Sequence, residues 1–214
     1  MKKHLLFDLD GTLIDSAPSI LESFAHAFEA VGIVPQYPLT SEIIGPPLME
    51  TLTRLSGESD NALLQKLAVS FKQHYDSEGF KKTVVYPNIQ PLLETISQSD
   101  TSLYIATNKR YLPTTKIMQH LGWTHFFRDI FALDFFEPPL ASKPVMLQKI
   151  LADLQLEPSQ TLYIGDRYED GLAADHNNLD FVMVTWGYLD KTANALKSHW
   201  QQCENVKELP LYFK

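Results

Sequence analysis

Apolar positions recur along this chain in two different rhythms that alternate. Short unbroken runs rich in branched and aromatic residues, Leu5–Phe7, Leu103–Thr107, Leu162–Gly165 and Phe181–Thr185, with a weaker one at Ile130–Leu133, predict strands buried on both faces. Between them the period lengthens to that of a helix: Tyr111–Leu121 closed by Gly122, Pro144–Leu156 with proline in its first turn, Gly171–Leu179 and Asp190–Ser198. Strands alternating with helices predict an α/β, Rossmann-like core, a parallel sheet with helices on both faces. Residues 16–82 break the rhythm. Ile20, Phe24, Phe28 and Val31 recur at helical spacing, with Ser16 as candidate N-cap and Gly32 at the end, and further helices are expected at Leu48–Leu55 and Asn61–Glu78. The prediction is an all-helical cap domain, 16–82, inserted into a core made of 1–15 and 83–214, which resumes at Val84-Val85-Tyr86-Pro87.

Composition narrows the setting. The 214 residues suffice for one core plus a small accessory domain. With 44% hydrophobic and 21% charged residues, and no stretch near the ~20 apolar residues of a membrane span, no membrane partner is expected. Met1-Lys2-Lys3-His4 runs straight into strand-like sequence without the apolar stretch of a secretory leader, and the single Cys203 cannot form an internal disulfide. Both point to the cytoplasm. A net charge of −8 and the lack of any long basic run argue against nucleic acid.

Candidate chemistry gathers at strand ends, where an open parallel sheet binds its ligands. Asp8-Leu9-Asp10-Gly11 follows the first strand and sends two carboxylates to the same side of the chain, an arrangement that needs a cation or a shared proton. Its glycine falls too early for an EF-hand loop. Thr107-Asn108 ends the second confident strand, Gly165-Asp166 ends the third with Asp170 one helical turn on, and Lys143 precedes Pro144 at a helix start. Each alone has a plain structural reading: a helix cap for Thr107, a solvated lysine for Lys143, a pair complementing a helix dipole for Asp166 and Asp170. Four such positions in order at consecutive strand ends point instead to a site.

Asp8-Leu9-Asp10-Gly11-Thr12-Leu13-Ile14-Asp15-Ser16, Ala106-Thr107-Asn108-Lys109, Ser142-Lys143-Pro144, Gly165-Asp166-Arg167-Tyr168-Glu169-Asp170 and Val184-Thr185-Trp186-Gly187-Tyr188 resemble the haloacid dehalogenase-like hydrolases, in the phosphoglycolate phosphatase-like branch with a helical cap. The resemblance implies a phosphatase for a small phosphate monoester, with Asp8 as nucleophile forming an aspartyl-phosphate. Asp10 would protonate the leaving group and then activate water. Thr107 and Asn108 would hold the phosphate, and Lys143 would offset its charge. It also implies Mg²⁺, taken by Asp8 and Asp166 through carboxylates and by Asp10 through its carbonyl, with Asp170 as a further ligand or orienting Lys143 or a metal-bound water. An acid at position 10 favours phosphate chemistry over halide displacement, which needs no leaving-group proton. Ile44-Gly45-Pro46-Pro47 resembles the family's specificity loop, with Gly45 a candidate substrate contact, though a rigid connecting turn fits equally. Arg54 and Arg110 are open as substrate contacts.

The chain departs from the pattern at Arg110, at Val145-Met146 and at Asn177-Asn178, and none of these removes a catalytic group. Three alternatives share the scaffold: a phosphonate-cleaving enzyme, whose relatives use an early cap lysine where this chain has none between Ser16 and Gln65; a sugar phosphomutase, whose relatives carry a histidine that Ser19-Ile20-Leu21-Glu22 lacks; and a non-catalytic phosphometabolite-binding protein, disfavoured because both aspartates are kept.

Overall fold

The computed structural model describes residues 2–188 and 196–213. Strands β1 (His4–Phe7), β4 (Ser102–Thr107), β5 (Asp129–Ala132), β6 (Thr161–Gly165), β7 (Asp180–Val184) and β8 (Gln201–Cys203) form one six-stranded sheet in the order β5-β4-β1-β6-β7-β8. Every pairing in it is parallel. Phe7 pairs with Ile105 on one side and Ile164 on the other, so the chain leaves β1, β4 and β6 at one level. β1 occupies the position between β4 and β6 where strand order reverses, the place where such sheets bind ligands.

Alternation along the strands divides the core in two. Leu5, Phe7, Leu103, Ile105, Leu162, Ile164, Val182 and Val184 face one side, where Leu92 and Leu93 of α4 (Ile89–Ser97) and Ile117 and Met118 of α5 (Tyr111–His120) cover them. Leu6, Tyr104, Ala106, Tyr163, Phe181 and Met183 face the other side, covered by Met146, Leu147 and Ile150 of α6 (Lys143–Asp153) and Ala173 and Ala174 of α7 (Tyr168–His176). Asn177, where the family pattern departs, donates its amide to Pro144 O (3.0 Å) and Ala173 O (2.9 Å) and so ties α7 to α6.

In the chain between the first strand and α4 come α1 (Ala17–Val31), α2 (Leu48–Ser56) and α3 (Asn61–Ser77). The stretch leaves and rejoins the core through a short antiparallel pair, β2 (Ile14–Asp15) with β3 (Val84–Val85). Phe24 of α1 and Phe71 of α3 meet with ring centroids 4.5 Å apart, and the apolar faces of these helices join the first half of the core without a break.

Several sequence expectations shift by a few residues. The helix expected at Gly171–Leu179 begins at Tyr168, because Asp170 accepts the Arg167 backbone N–H and starts the helix earlier. Ser16 does not cap α1 with its side chain, whose hydroxyl donates instead to Asp10 (2.5 Å). The Tyr188 hydroxyl accepts the Ser16 and Ala17 backbone N–H groups at 2.8 and 3.0 Å in its place. Of the helix expected at Asp190–Ser198, residues 190–195 lie outside the described residues and 196–198 are not helical. Helix α4 and strand β8 were not expected from the sequence.

Candidate active site

Asp8, the first residue past β1, is 4% exposed, and its backbone N–H is held by Ile164 O at 2.9 Å. Gly165 and Asp166 reach the same level from β6. Gly165 leaves room for the Asp170 carboxylate, since a Cβ there would stand 2.4 Å from Asp170 Oδ2. One ligand oxygen from each of Asp8, Asp166 and Asp170 lies within 4.8 Å of the others, and all three side chains are buried. Their charges are partly met by Lys143 at the start of α6. Its Nζ donates to Asp170 Oδ1 at 2.6 Å and stands 3.2 Å from Asp8 Oδ1 without hydrogen-bond geometry.

These contacts set the electrostatics. Burial pushes the Asp8 carboxyl up to about 6, Lys143 opposes the rise, and Asp170 and Asp10 add to it. Burial also holds Asp166 well above the usual carboxylate range, with Asp170 and Asp8 contributing. Burial alone would lower the Lys143 ammonium, but Asp170 and Asp8 hold it well above the ordinary lysine value. Three buried carboxylates sharing one ammonium leave an excess of negative charge.

A hard divalent cation fits this excess. Asp8 Oδ1 is buried without a hydrogen-bond donor among the described residues. Among the described residues, Asp166 is engaged only by Tyr188 N–H (2.7 Å) and, more weakly, by Thr12 Oγ1 (3.3 Å). Asp170 is more fully used, accepting Lys143 and Tyr163 (3.4 Å) on one oxygen and Arg167 N–H (3.1 Å) on the other. The turn around Asp166 requires glycine at position 11: φ is +84°, and a Cβ there would lie 2.1 Å from Asp166 Oδ2.

Asp10 lines a cavity of about 70 Å³ together with Asp8, Thr107 and Asn108. Lys109 Nζ donates to both Asp10 oxygens at 3.1 Å and sits 4.5 Å above the Tyr75 ring. Thr107 is buried, and its hydroxyl oxygen accepts the Lys109 backbone N–H (3.2 Å). Asn108 donates its amide to Gly45 O at 3.1 Å, while its own side-chain oxygen is buried without a partner among the described residues. Gly45 thus meets the site through its carbonyl. Arg110 also lines the cavity, paired with Asp76, whereas Arg54 is exposed and lies over the Tyr37 ring.

Two participants went unassigned in the sequence. Lys109 had a signal, a cation directly after Thr107-Asn108, but its partner Asp10 lies 99 residues away. Arg167 reaches from the start of α7 to Tyr188 O (2.6 Å), Glu42 O (2.8 Å) and Ile44 O, fastening the 42–44 loop beside the site. Its three acceptors are backbone carbonyls, which no side-chain pattern reveals.

The chain belongs to the haloacid dehalogenase-like hydrolase family, whose model matches residues 5–184. It is an enzyme of the phosphatase kind, in the phosphoglycolate phosphatase-like branch. It is 31% identical over 199 residues to the phosphoglycolate phosphatase of Vibrio cholerae, covering 87% of this chain and 85% of that one. It is 32% identical over 210 residues to the tyrosine-protein kinase PtkA of Mycobacterium tuberculosis, covering 95% and 71%. Among solved structures, a predicted phosphatase from Clostridium acetobutylicum superposes with a TM-score of 0.88 at 25% identity, covering 99% of this chain and 98% of that one.

Proposed function

We propose that this enzyme is a Mg²⁺-dependent phosphatase that hydrolyses a small phosphate monoester through an aspartyl-phosphate on Asp8. The observation that carries the reading is the buried Asp8 carboxylate, with one oxygen free of donors, set between the Asp166, Asp170 and Lys143 cluster and the cavity that Asp10 lines.

In the first step an Asp8 carboxylate oxygen attacks phosphorus, the bond from phosphorus to the ester oxygen breaks, and the proton on Asp10 passes to the departing oxygen. In the second step water attacks the phosphorus of the acyl phosphate, Asp10 takes the water's proton, and Asp8 leaves as carboxylate. Lys143 balances charge shared by Asp8 and the phosphoryl oxygens, and Asp170 positions Lys143 through the 2.6 Å contact. Thr107, Asn108 and the nearby backbone N–H groups would hold the phosphoryl group. Asp8, Asp166 and the Asp10 carbonyl would hold Mg²⁺, with Asp170 beside them. When bound, the ion would neutralise the clustered carboxylates and the transferring phosphoryl oxygens.

Residues 16–82 act in this reading as a cap over a core of 1–15 and 83–214. The cap shields the acyl phosphate and limits the substrate to a small molecule. No described helix is long and apolar enough to cross a membrane. The unpaired, buried Cys203 suits a reducing cytoplasm.

The test is phosphate release from a panel of small esters, with and without Mg²⁺, by wild type and Asp8→Asn. Release that requires the metal and vanishes in the variant is expected. Appreciable release by Asp8→Asn would refute the covalent route, and full activity in chelator would refute the metal assignment. The resemblance to PtkA raises a second reading, transfer from Asp8 to an acceptor hydroxyl in place of water. In that case Asp8 would become phosphorylated while free phosphate appears only slowly.

A further inference from the structure

We propose that the alcohol half of the substrate is uncharged and apolar, best matched by a small aryl phosphate, and that an ester carrying a carboxylate, such as phosphoglycolate, is a poor substrate. The inference rests on the phosphatase reading and adds the class of the leaving group. The cavity that Asp8 and Asp10 line is also walled by Ile20 and Phe24 of α1, Ile43 and Ile44 of the loop, Leu48 of α2 and Phe71 of α3. Phe71 stacks on Tyr75 with centroids 5.7 Å apart and planes 11° from parallel, and it meets Phe24 at 4.5 Å. Phe24, Phe71 and Tyr75 thus give the cavity that Asp8 and Asp10 line an aromatic wall. An aryl ring buried there gains from desolvation, besides the geometric preference of aromatic pairs.

A carboxylate in the same place meets no free cation among the described residues. The two cationic side chains that line the cavity are already engaged. Lys109 is held by Asp10, whose carbonyl oxygen still accepts it when the other oxygen carries the catalytic proton, and Arg110 by both oxygens of Asp76, with Arg110 and Asp76 side chains 19% and 16% exposed. Arg54 is outside the cavity, over Tyr37. Lys81 and Lys82 pair with Glu78 and Glu22, and Lys66 and Lys72 are exposed on α3. A carboxylate desolvated against Ile44 and Phe71 therefore carries an uncompensated burial cost. The wall is also fixed in place: Arg167 holds the Glu42 and Ile44 carbonyls, and Asn108 holds that of Gly45.

The experiment compares kcat/KM for phenyl phosphate and 2-phosphoglycolate with the Mg²⁺-loaded enzyme. Calorimetric binding of phenylphosphonate and phosphonoacetate, neither of which is hydrolysed, runs in parallel. Phenyl phosphate should be preferred by at least about tenfold, the fold-change that 1.4 kcal/mol produces, and phenylphosphonate should bind more tightly by a similar factor. Ile44→Lys, which adds a cation on the loop without altering a helix, should narrow both ratios. Equal or better turnover of phosphoglycolate by wild type overturns the proposal. Silence toward every ester refutes the phosphatase reading, and the binding ratio then still decides whether the wall selects an apolar group.

Discussion

Replacing Lys143 by methionine removes the ammonium and keeps most of the side chain's length. The ammonium stands 2.6 Å from Asp170 and 3.2 Å from Asp8, and the Lys143, Asp8 and Asp170 side chains are 8%, 6% and 2% exposed. Water therefore screens the pairing little, and breaking a buried ion pair by removing one partner costs about 3–5 kcal/mol. With total stability on the order of 5–15 kcal/mol, that is a large fraction of the whole. In metal-free buffer the urea midpoint should fall by roughly 1–2 M, given a slope of about 2.5–3 kcal/mol per M, the upper part of the usual range for a chain of 214 residues. Adding Mg²⁺ should recover part of the loss, because a cation returns to the same carboxylates. Adding Asp8→Asn to Lys143→Met should recover part of it without metal, by removing one of the crowded acids. Turnover should stay about 10²–10³-fold down with Mg²⁺ present, since the charge facing the phosphoryl oxygens is gone. A midpoint within about 0.2 M of wild type in chelator would show that the cluster does not depend on this ammonium, and the electrostatic reasoning would fail.

Asp8 also predicts a pH dependence. Its carboxyl is raised from 3.8 to about 6 in the folded, metal-free protein, so between these values the folded state binds more protons than the unfolded one. Relative to an uncharged side chain, Asp8 then costs nothing below about pH 4, and stability is lost as pH rises through about 6. The stability of wild type minus that of Asp8→Asn, from urea unfolding in chelator, should drop by roughly 3 kcal/mol between pH 4 and pH 7. A difference that stays flat would contradict the shift. Gly11→Ala combines a left-handed backbone with a Cβ 2.1 Å from Asp166 Oδ2, an oxygen held by Tyr188 N–H. The strain is worth about 1–3 kcal/mol, and the displaced carboxylate should weaken Mg²⁺ binding measured by calorimetry. Wild-type stability together with wild-type affinity would contradict this.

The strand ends were legible because each strand is a short apolar run followed at once by a polar residue: Phe7 then Asp8, Ala106 then Thr107, Gly165 then Asp166. Periodicity carried α1 equally well, through Ile20, Phe24 and Phe28. It should also have exposed α4, whose buried Ile89, Leu92, Leu93 and Ile96 keep helical spacing, but two prolines close together, at 87 and 91, masked the pattern. Strand β8 lacks an apolar run, since Gln201 and Gln202 are exposed at the sheet edge and only Cys203 is buried. Within the site, sequence order could suggest Lys143, Asp166 and Asp170 as a group. It could not show that Asp170 spends both oxygens on protein donors while one oxygen of Asp8 has none. Local motifs reveal the side chains that the strands deliver, and long-range partners such as Lys109 with Asp10 depend on how the helices close over the sheet.

The claim on which the account turns is that Asp8 becomes covalently phosphorylated. Wild type should be mixed with a phosphate ester it turns over, in Mg²⁺, quenched in acid within the first turnovers, digested and read by mass spectrometry. A peptide containing Asp8 should be heavier by one phosphoryl group, labile to base and lost in Asp8→Asn. Turnover without any such adduct, or an adduct on another residue, would contradict it.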